Sequence, residues 1–480
     1  MERSQSIFGN HIPDRIVRKA ERGKQKYVKQ YGDDSQTPYH LSLSENEVLN
    51  DLGTKQFVLS DRPFDVESVD RPVVIGNIRM GFGHYRISMA MCSAARALGY
   101  TPLWLDLNSF PETTCTKIIA HQNDLYSLGS RLSQKFGIFN RLVWEPMNSE
   151  GFRKLSYNAA DQKNAELMAP VLRDLPADLP FVATHVWPAQ AAVHHGMTHV
   201  VNAIPDNWQM GLHLAEGSIH TVQTPSAYLG YRVLRGMDGG HLLNPIPAGQ
   251  LYQTGHYIDH ELVATLENDC KLRISRASEG KPLRYLLTVG GAGAQQALFA
   301  SIIKHLLAKV EAQKATLLIN VGDHANVLSA LQKEIPALNA ATLHTEYGEI
   351  RSFCADALSG EVNGIHCFMS EEIFTAVYAT NLLMRCSDLL ITKPSELAFY
   401  PIPKLFIHRV GGHEAWGAIH SAELGDGTNE CTTLEETLQM LDLLDSDRSI
   451  HIGMCNAIQA QNKIGTYNGA YEVIRLATTR

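Results

Sequence analysis

The sequence predicts an α/β protein made of two tandem doubly wound domains, each a parallel sheet covered by helices, behind an N-terminal extension. Three observations lead there. At 480 residues the chain has room for two to four domains of about 100–200 residues each. From Arg71 onward, short unbroken runs of apolar and β-branched residues alternate with longer amphipathic stretches, the pattern of strands buried on both faces. That alternation restarts after a Pro/Gly-marked stretch at 244–259, and each half opens with a strand that runs into glycines and then a helix.

The extension, 1–70, is set apart by charge. Residues 1–30 carry eight Lys/Arg with Ile12, Ile16 and Val17 among them, and 31–70 reverse the sign. Such a basic segment reads as a solvated helix or as a segment that lies on an anionic membrane surface. The first domain, 71–250, begins with a strand at 71–78 (RPVVIGNI), a helix at 87–100 ending near Gly99, and a second strand at 101–107. Further strands are expected at 179–186, 198–205 and 218–224. In the second domain, 251–450, strand candidates are 283–289, 315–322, 362–369, 388–394 and 404–411, with helices at 294–312 and 371–386. Residues 451–480 read as one or two terminal helices.

Composition narrows the function. Forty-two Lys+Arg against fifty Asp+Glu leave a net charge of −8, which argues against a nucleic-acid partner. No run approaches 18 apolar residues and the start has no apolar core, so the expected location is cytoplasmic. The eight cysteines contain no C-x-x-C pair, and HEAWGAIH at 413–420 has the wrong spacing for a two-histidine zinc helix. His194, His195 and His199 have no acidic or cysteine partners nearby in sequence. Neither a metal site nor a cofactor is expected.

Both glycine turns suit a phosphate or a developing oxyanion. Glycine lets backbone N–H groups approach a ligand, and the helix behind carries about half a positive charge at its N-terminus. Asp106 follows the first turn at the distance of a dinucleotide ribose ligand, but the G-x-G-x-x-G fingerprint fails in both copies, with Arg86 and Gln296 at the third position. Asp106 reads equally as a strand-end cap. Two facing sheets with glycine turns at equivalent places share one cleft, and a two-part substrate can lie across it.

Six segments in order resemble the GT-B glycosyltransferases of the monogalactosyldiacylglycerol synthase and MurG group. GFGHYRIS (81–88) resembles that group's first glycine loop. THVWPAQAAVHHG (184–196) with VVNAIPDNW (200–208) resembles its His-Pro-Phe and Thr-Asp segments, and GHYID (255–259) stands where the domain linker begins. LLTVGGAGA (286–294), RCSDLLITKPSELAF (385–399) and VGGHEAWGA (410–418) resemble the donor-domain loops. Two departures stand out. Only Pro394 and Ser395 separate Lys393 from Glu396, a shortened donor loop, and His413 and Gly417 replace the Gln and Asn of the last loop.

The resemblance implies inverting transfer of a sugar from a nucleotide-sugar donor, uridine-linked, to an acceptor hydroxyl of a lipid or glycan. It also raises peripheral association with the inner membrane face. His84 is the first candidate for the general base, at a helix start with an ordinary pKa near 6.5, although it also reads as a cap or an acceptor contact. Asp206 is the second, as base or as the group that orients one, and also fits ordinary turn chemistry. Gly81, Gly83 and His185 are cleft or acceptor-side candidates. On the donor side, Gly291 and Gly293 would give N–H groups to the diphosphate, Lys393 and Ser395 would stand beside it, and Glu396 would accept ribose hydroxyls. His413 and Glu414 are candidate sugar contacts. Two alternatives remain open: a nucleotide-sugar epimerase of the same fold, and a GT-B-like binding protein that has lost transfer.

Overall fold

The computed structural model describes residues 2–135, 151–290, 293 and 295–479, with the backbone alone over 126–135. The segment expected as an extension is woven into the first domain. A hairpin of β1 (Ser6–Ile7) and β2 (Asn10–His11) precedes the basic helix Asp14–Tyr31, which is followed by the antiparallel pair β3 (His40–Ser44) and β4 (Lys55–Ser60). The apolar residues that suggested a membrane face pack inward: Ile12 is buried, and Ile16 and Val17 lie against the same apolar cluster. Part of the helix's charge is met at home, with Lys24 2.5 Å from Glu166 and Glu21 3.0 Å from Lys163.

The runs read as buried strands become β5 (Pro72–Asn77), β6 (Thr101–Asp106), β7 (Phe181–Ala183), β8 (Val200–Ala203) and β9 (Ile219–Val222), and β10 (Leu251–Gln253) follows. The sheet order is β10-β9-β8-β7-β5-β6-β4-β3, parallel throughout except for β3. Its centre is apolar on both faces: Val74, Leu103 and Phe181 pack to one side, Val73, Ile75 and Val182 to the other. The helix Gly83–Ala97 covers one of those faces, with Ile87, Met91, Ala94 and Ala95 buried.

The second sheet contains β11 (Leu283–Thr288), β12 (Ala315–Asn320), β13 (Thr342–His344), β14 (Gly364–Phe368), β15 (Leu389–Thr392), β16 (Lys404–Phe406) and β17 (Gly427–Glu430). Its order is β13-β14-β12-β11-β15-β16-β17, all parallel. The expected helices form at Gln296–Glu311 and Ile373–Cys386. At the start of β16, Lys404 is completely buried and its ammonium lies 2.8 Å from Asp426, which is equally buried.

The chain crosses between the domains twice, side by side. On the way out it passes through Gly255, at φ +90°. On the way back it passes Thr466, whose carbonyl accepts from the His256 N–H at 2.7 Å, while the Gly469 N–H donates to the His256 carbonyl at 2.9 Å. The last helix, Gly469–Thr478, therefore returns to the first domain, where Ala470, Val473, Ile474 and Ala477 join its core.

Candidate active site

A cleft of about 630 Å³ lies between the carboxyl ends of the two sheets. Ten of the residues singled out from sequence line it: Gly81, Gly83, His84, His185, Asp206, Lys393, Ser395, Glu396, His413 and Glu414. Gly293 does not. It sits in a left-handed turn at φ +63°, its α-carbon turned toward the His324 ring. Gly291 lies outside the described residues. Asp106 is spent as a turn anchor, accepting from Tyr85, from the Asn108 N–H at 2.8 Å and from Ser109, as its strand-end reading requires.

The first-domain wall begins where β5 ends. Gly81 takes φ +68°, a conformation that favours glycine, and the turn delivers His84 into the first turn of the Gly83 helix. His84 Nδ1 lies 2.7 Å from the Thr184 carbonyl. A carbonyl can only accept, so Nδ1 carries the proton and Nε2 presents a lone pair. Burial holds the imidazole below its ordinary pKa, outweighing the Thr184 bond, and the helix N-terminus disfavours the cation further. His185, whose ring meets that of His84 edge-on at 4.8 Å, caps the next helix. Its Nδ1 accepts from the Trp187 N–H at 3.2 Å, and burial pushes its pKa well down.

Asp206, on the loop after β8, is 35% exposed to the cleft, and its Oδ2 lies 3.2 Å from His213 Nε2. Burial alone would raise this carboxyl, but the His213 hydrogen bond and charge, with His413 and His84 beyond, hold it far below the usual carboxylate range. His213 Nδ1 in turn lies 2.6 Å from the hydroxyl of Tyr231, which is fully buried. Neither residue was singled out from sequence, because nothing in the local pattern around Gly211 and Leu212 marks a histidine that is brought to the cleft by a 3₁₀ turn.

On the second-domain wall, Lys393 follows β15 and packs over Gly290, its ammonium paired with Glu414. Glu414 turns inward. One oxygen takes Lys393, and the other accepts the N–H groups of Val410 at 2.8 Å and Gly411 at 3.2 Å, so the carboxylate anchors its own loop. His413 stays at the cleft, its Nδ1 buried without a hydrogen-bond partner among the described residues. Gly417 is needed for close approach: a β-carbon there would stand 2.9 Å from the Pro394 carbonyl.

The shortened 393–396 loop has a consequence of its own. Glu396, in a 3₁₀ turn directly behind Ser395, reaches across to the first domain. Its Oε1 is 3.5 Å from Arg86 Nε, and its Oε2 lies against Gly83. Arg86, only 2% exposed, continues onto the helix Ile373–Cys386, donating to the Val377 carbonyl at 3.0 Å and to Asn381 at 2.5 Å. The residue that breaks the dinucleotide fingerprint is therefore a bridge between the two domains. Arg79–Asp323 and the stacked rings of Trp208 and Trp416, 5.6 Å apart, tie the domains together as well.

Among the described residues, no group of three or more His, Cys, Asp or Glu is placed to hold a metal ion, and all eight cysteines are free and buried. Also among the described residues, no helix is long and apolar enough to cross a membrane.

Two Rossmann-like domains facing a cleft at the carboxyl ends of their strands make this a GT-B arrangement. Residues 6–233 match the model of a domain of unknown function, DUF6937, and residues 246–478 match that of a second, DUF6938. No curated protein matches the sequence. Among solved structures, the chain is similar to a UDP-GlcNAc 2-epimerase from Neisseria meningitidis bound to UDP-GlcNAc, at 11% identity and a TM-score of 0.46, over 84% of this chain and 98% of that one. It is also similar to an α,α-trehalose 6-phosphate synthase from Burkholderia multivorans, at 12% identity and a TM-score of 0.43, over 85% and 98% of the two chains. A glycosyltransferase from Rickettsia africae aligns at 12% identity with a TM-score of 0.41, over 84% and 96%.

Proposed function

We propose that the cleft transfers a sugar from a nucleoside-diphosphate donor, uridine-linked by the resemblance to the monogalactosyldiacylglycerol synthase and MurG group, to an acceptor hydroxyl with inversion. The observation that supports this reading most is His84: a neutral imidazole fixed through Nδ1, with a basic Nε2 at the cleft. The acceptor oxygen attacks the anomeric carbon from the face opposite the diphosphate. As that bond forms, the bond to the diphosphate breaks, its electron pair leaves on the phosphate, and the hydroxyl proton passes to Nε2. Asp206, kept ionised, accepts a hydroxyl of the acceptor and orients it.

On the donor side, the diphosphate would lie at Gly290, just after β11, with Lys393 as the nearby positive charge. Ser395 and the outer oxygen of Glu396 would meet the nucleoside ribose, and His413 the sugar. A lipid acceptor, and with it attachment to a membrane face, rests on the resemblance alone. The apolar residues of the basic helix are engaged within the fold.

The reading is tested by thermal unfolding with a panel of nucleoside diphosphates and their sugars. A ligand at 100 times its Kd adds about 2.7 kcal/mol, a rise of several degrees for a domain of this size. A shift with one nucleotide family supports the donor site. Absence of any shift in a cooperatively unfolding protein overturns it.

One observation favours a second reading, epimerisation of the nucleotide sugar. It needs acid and base groups on both walls of the cleft, and His413 and Glu396 face His84 and Asp206 there. Change of the donor without any acceptor present would identify it.

A further inference from the structure

We infer that His213 is a doubly protonated imidazolium, locked between Asp206 and Tyr231 as a fixed positive charge in the first-domain wall of the cleft. A tyrosine hydroxyl has one proton to donate and two lone pairs to accept with. Tyr231 has three partners. The Trp208 carbonyl, 2.9 Å away, can only accept, so it takes the hydroxyl proton. The Met210 N–H, 3.2 Å away, can only donate, so it takes one lone pair. The third partner, His213 Nδ1 at 2.6 Å, is left with the second lone pair and must carry a proton itself. On the other side of the ring, the ionised Asp206 carboxylate can only accept at 3.2 Å, so Nε2 carries a proton as well. Both ring nitrogens are donors, and the pair with Asp206 is an ion pair.

The groups around it are Asp206, His84 and His185, with His413 beyond Asp206 and Glu396 beyond His84. The fixed charge has two effects on them. It keeps Asp206 a carboxylate of low basicity, suited to holding a hydroxyl rather than to removing its proton. It also disfavours a second cation at His84, adding to the burial that already holds that imidazole neutral. His213 is thus a positioning residue that acts through Asp206 and His84. The roles of those two rest on the function proposed above, whereas the charge state of His213 does not.

Nitrogen-15 NMR of the intact protein with labelled histidine tests this without any activity assay. At pH 7.5, where a free imidazole is neutral, both His213 nitrogens are expected in the protonated range. The signal is assigned by its disappearance in His213→Gln or, should that variant fail to fold, by its displacement in Tyr231→Phe. Removing the hydroxyl that accepts from Nδ1 is expected to convert His213 to a neutral tautomer. In either variant the His84 titration midpoint should rise by roughly one pH unit as the neighbouring charge is lost. A neutral His213 in the folded wild-type protein at pH 7.5 would overturn the inference, and so would an unmoved His84 midpoint in a variant that has lost the charge. Nucleotide-induced thermal shifts report on the donor site separately, so failure of one reading does not mimic failure of the other.

Discussion

His84→Ala is expected to lower kcat/KM by about 10²–10⁴-fold while leaving nucleotide binding by calorimetry unchanged, since the proposed reaction puts the ring on the acceptor side. Undiminished turnover would move the proton transfer elsewhere. The sign of its pH dependence follows from burial. Because His84 is held below 6.5, its basic form persists on acidification, and the acid limb of kcat/KM should fall below pH 6.5. His84 could be picked out from sequence because the glycine turn and the helix start are local features. Arg86 and His213 could not: the partners of the first, Val377, Asn381 and Glu396, and the Tyr231 hydroxyl that fixes the second are joined to them only by folding. Glu414 was misleading for the same reason, since its sequence position beside the cleft does not reveal that both oxygens turn back into its loop.

Among the elements, central strands were readable and marginal ones were not. β5, β11, β12 and β15 have neighbours on both sides and helices on both faces, so their sequences are unbroken apolar runs. β3, β13 and β17 lie at sheet edges and read HLSLS, TLH and GTNE, with too little apolar character to stand out. β16 carries the opposite surprise, a buried lysine inside a run that reads as hydrophobic. Lys404→Met should destabilise the second domain by about 3–5 kcal/mol, because Asp426 would be left as an uncompensated buried charge. Chemical denaturation of the single variant and of Lys404→Met/Asp426→Leu checks this. A double variant no more stable than the single one would refute the ion-pair explanation.

For the molecule as a whole, buried histidines set the acid limit. Burial pushes His194, His220 and His451 each from 6.5 to about 4. Between those values the unfolded chain binds protons that the folded protein refuses, so their contribution is complete above pH 6.5 and is lost as the pH falls toward 4. Asp161, raised by burial to about 7, and Asp259, to about 8, act in the opposite sense: their contribution is complete below 3.8 and is lost as the pH rises through 7 and 8. The histidines, joined by the similarly lowered His84, His185 and His256, outnumber the two acids. Stability measured by thermal unfolding should therefore decline from pH 6.5 to 4 and also fall, more gently, above neutrality. A flat profile between 6.5 and 4 would mean that these histidines are not buried neutral.

The paired crossings at Gly255 and Thr466 give the chain the topology of one domain inserted into a surface loop of another. The first domain is discontinuous in sequence: the helix Gly469–Thr478 completes its core, which also takes Phe374, Val377 and Tyr378 from the second domain. Truncation at 468 should therefore cost the first domain its cooperative unfolding, read by chemical denaturation, because it strips the apolar cover from the Gly83 helix.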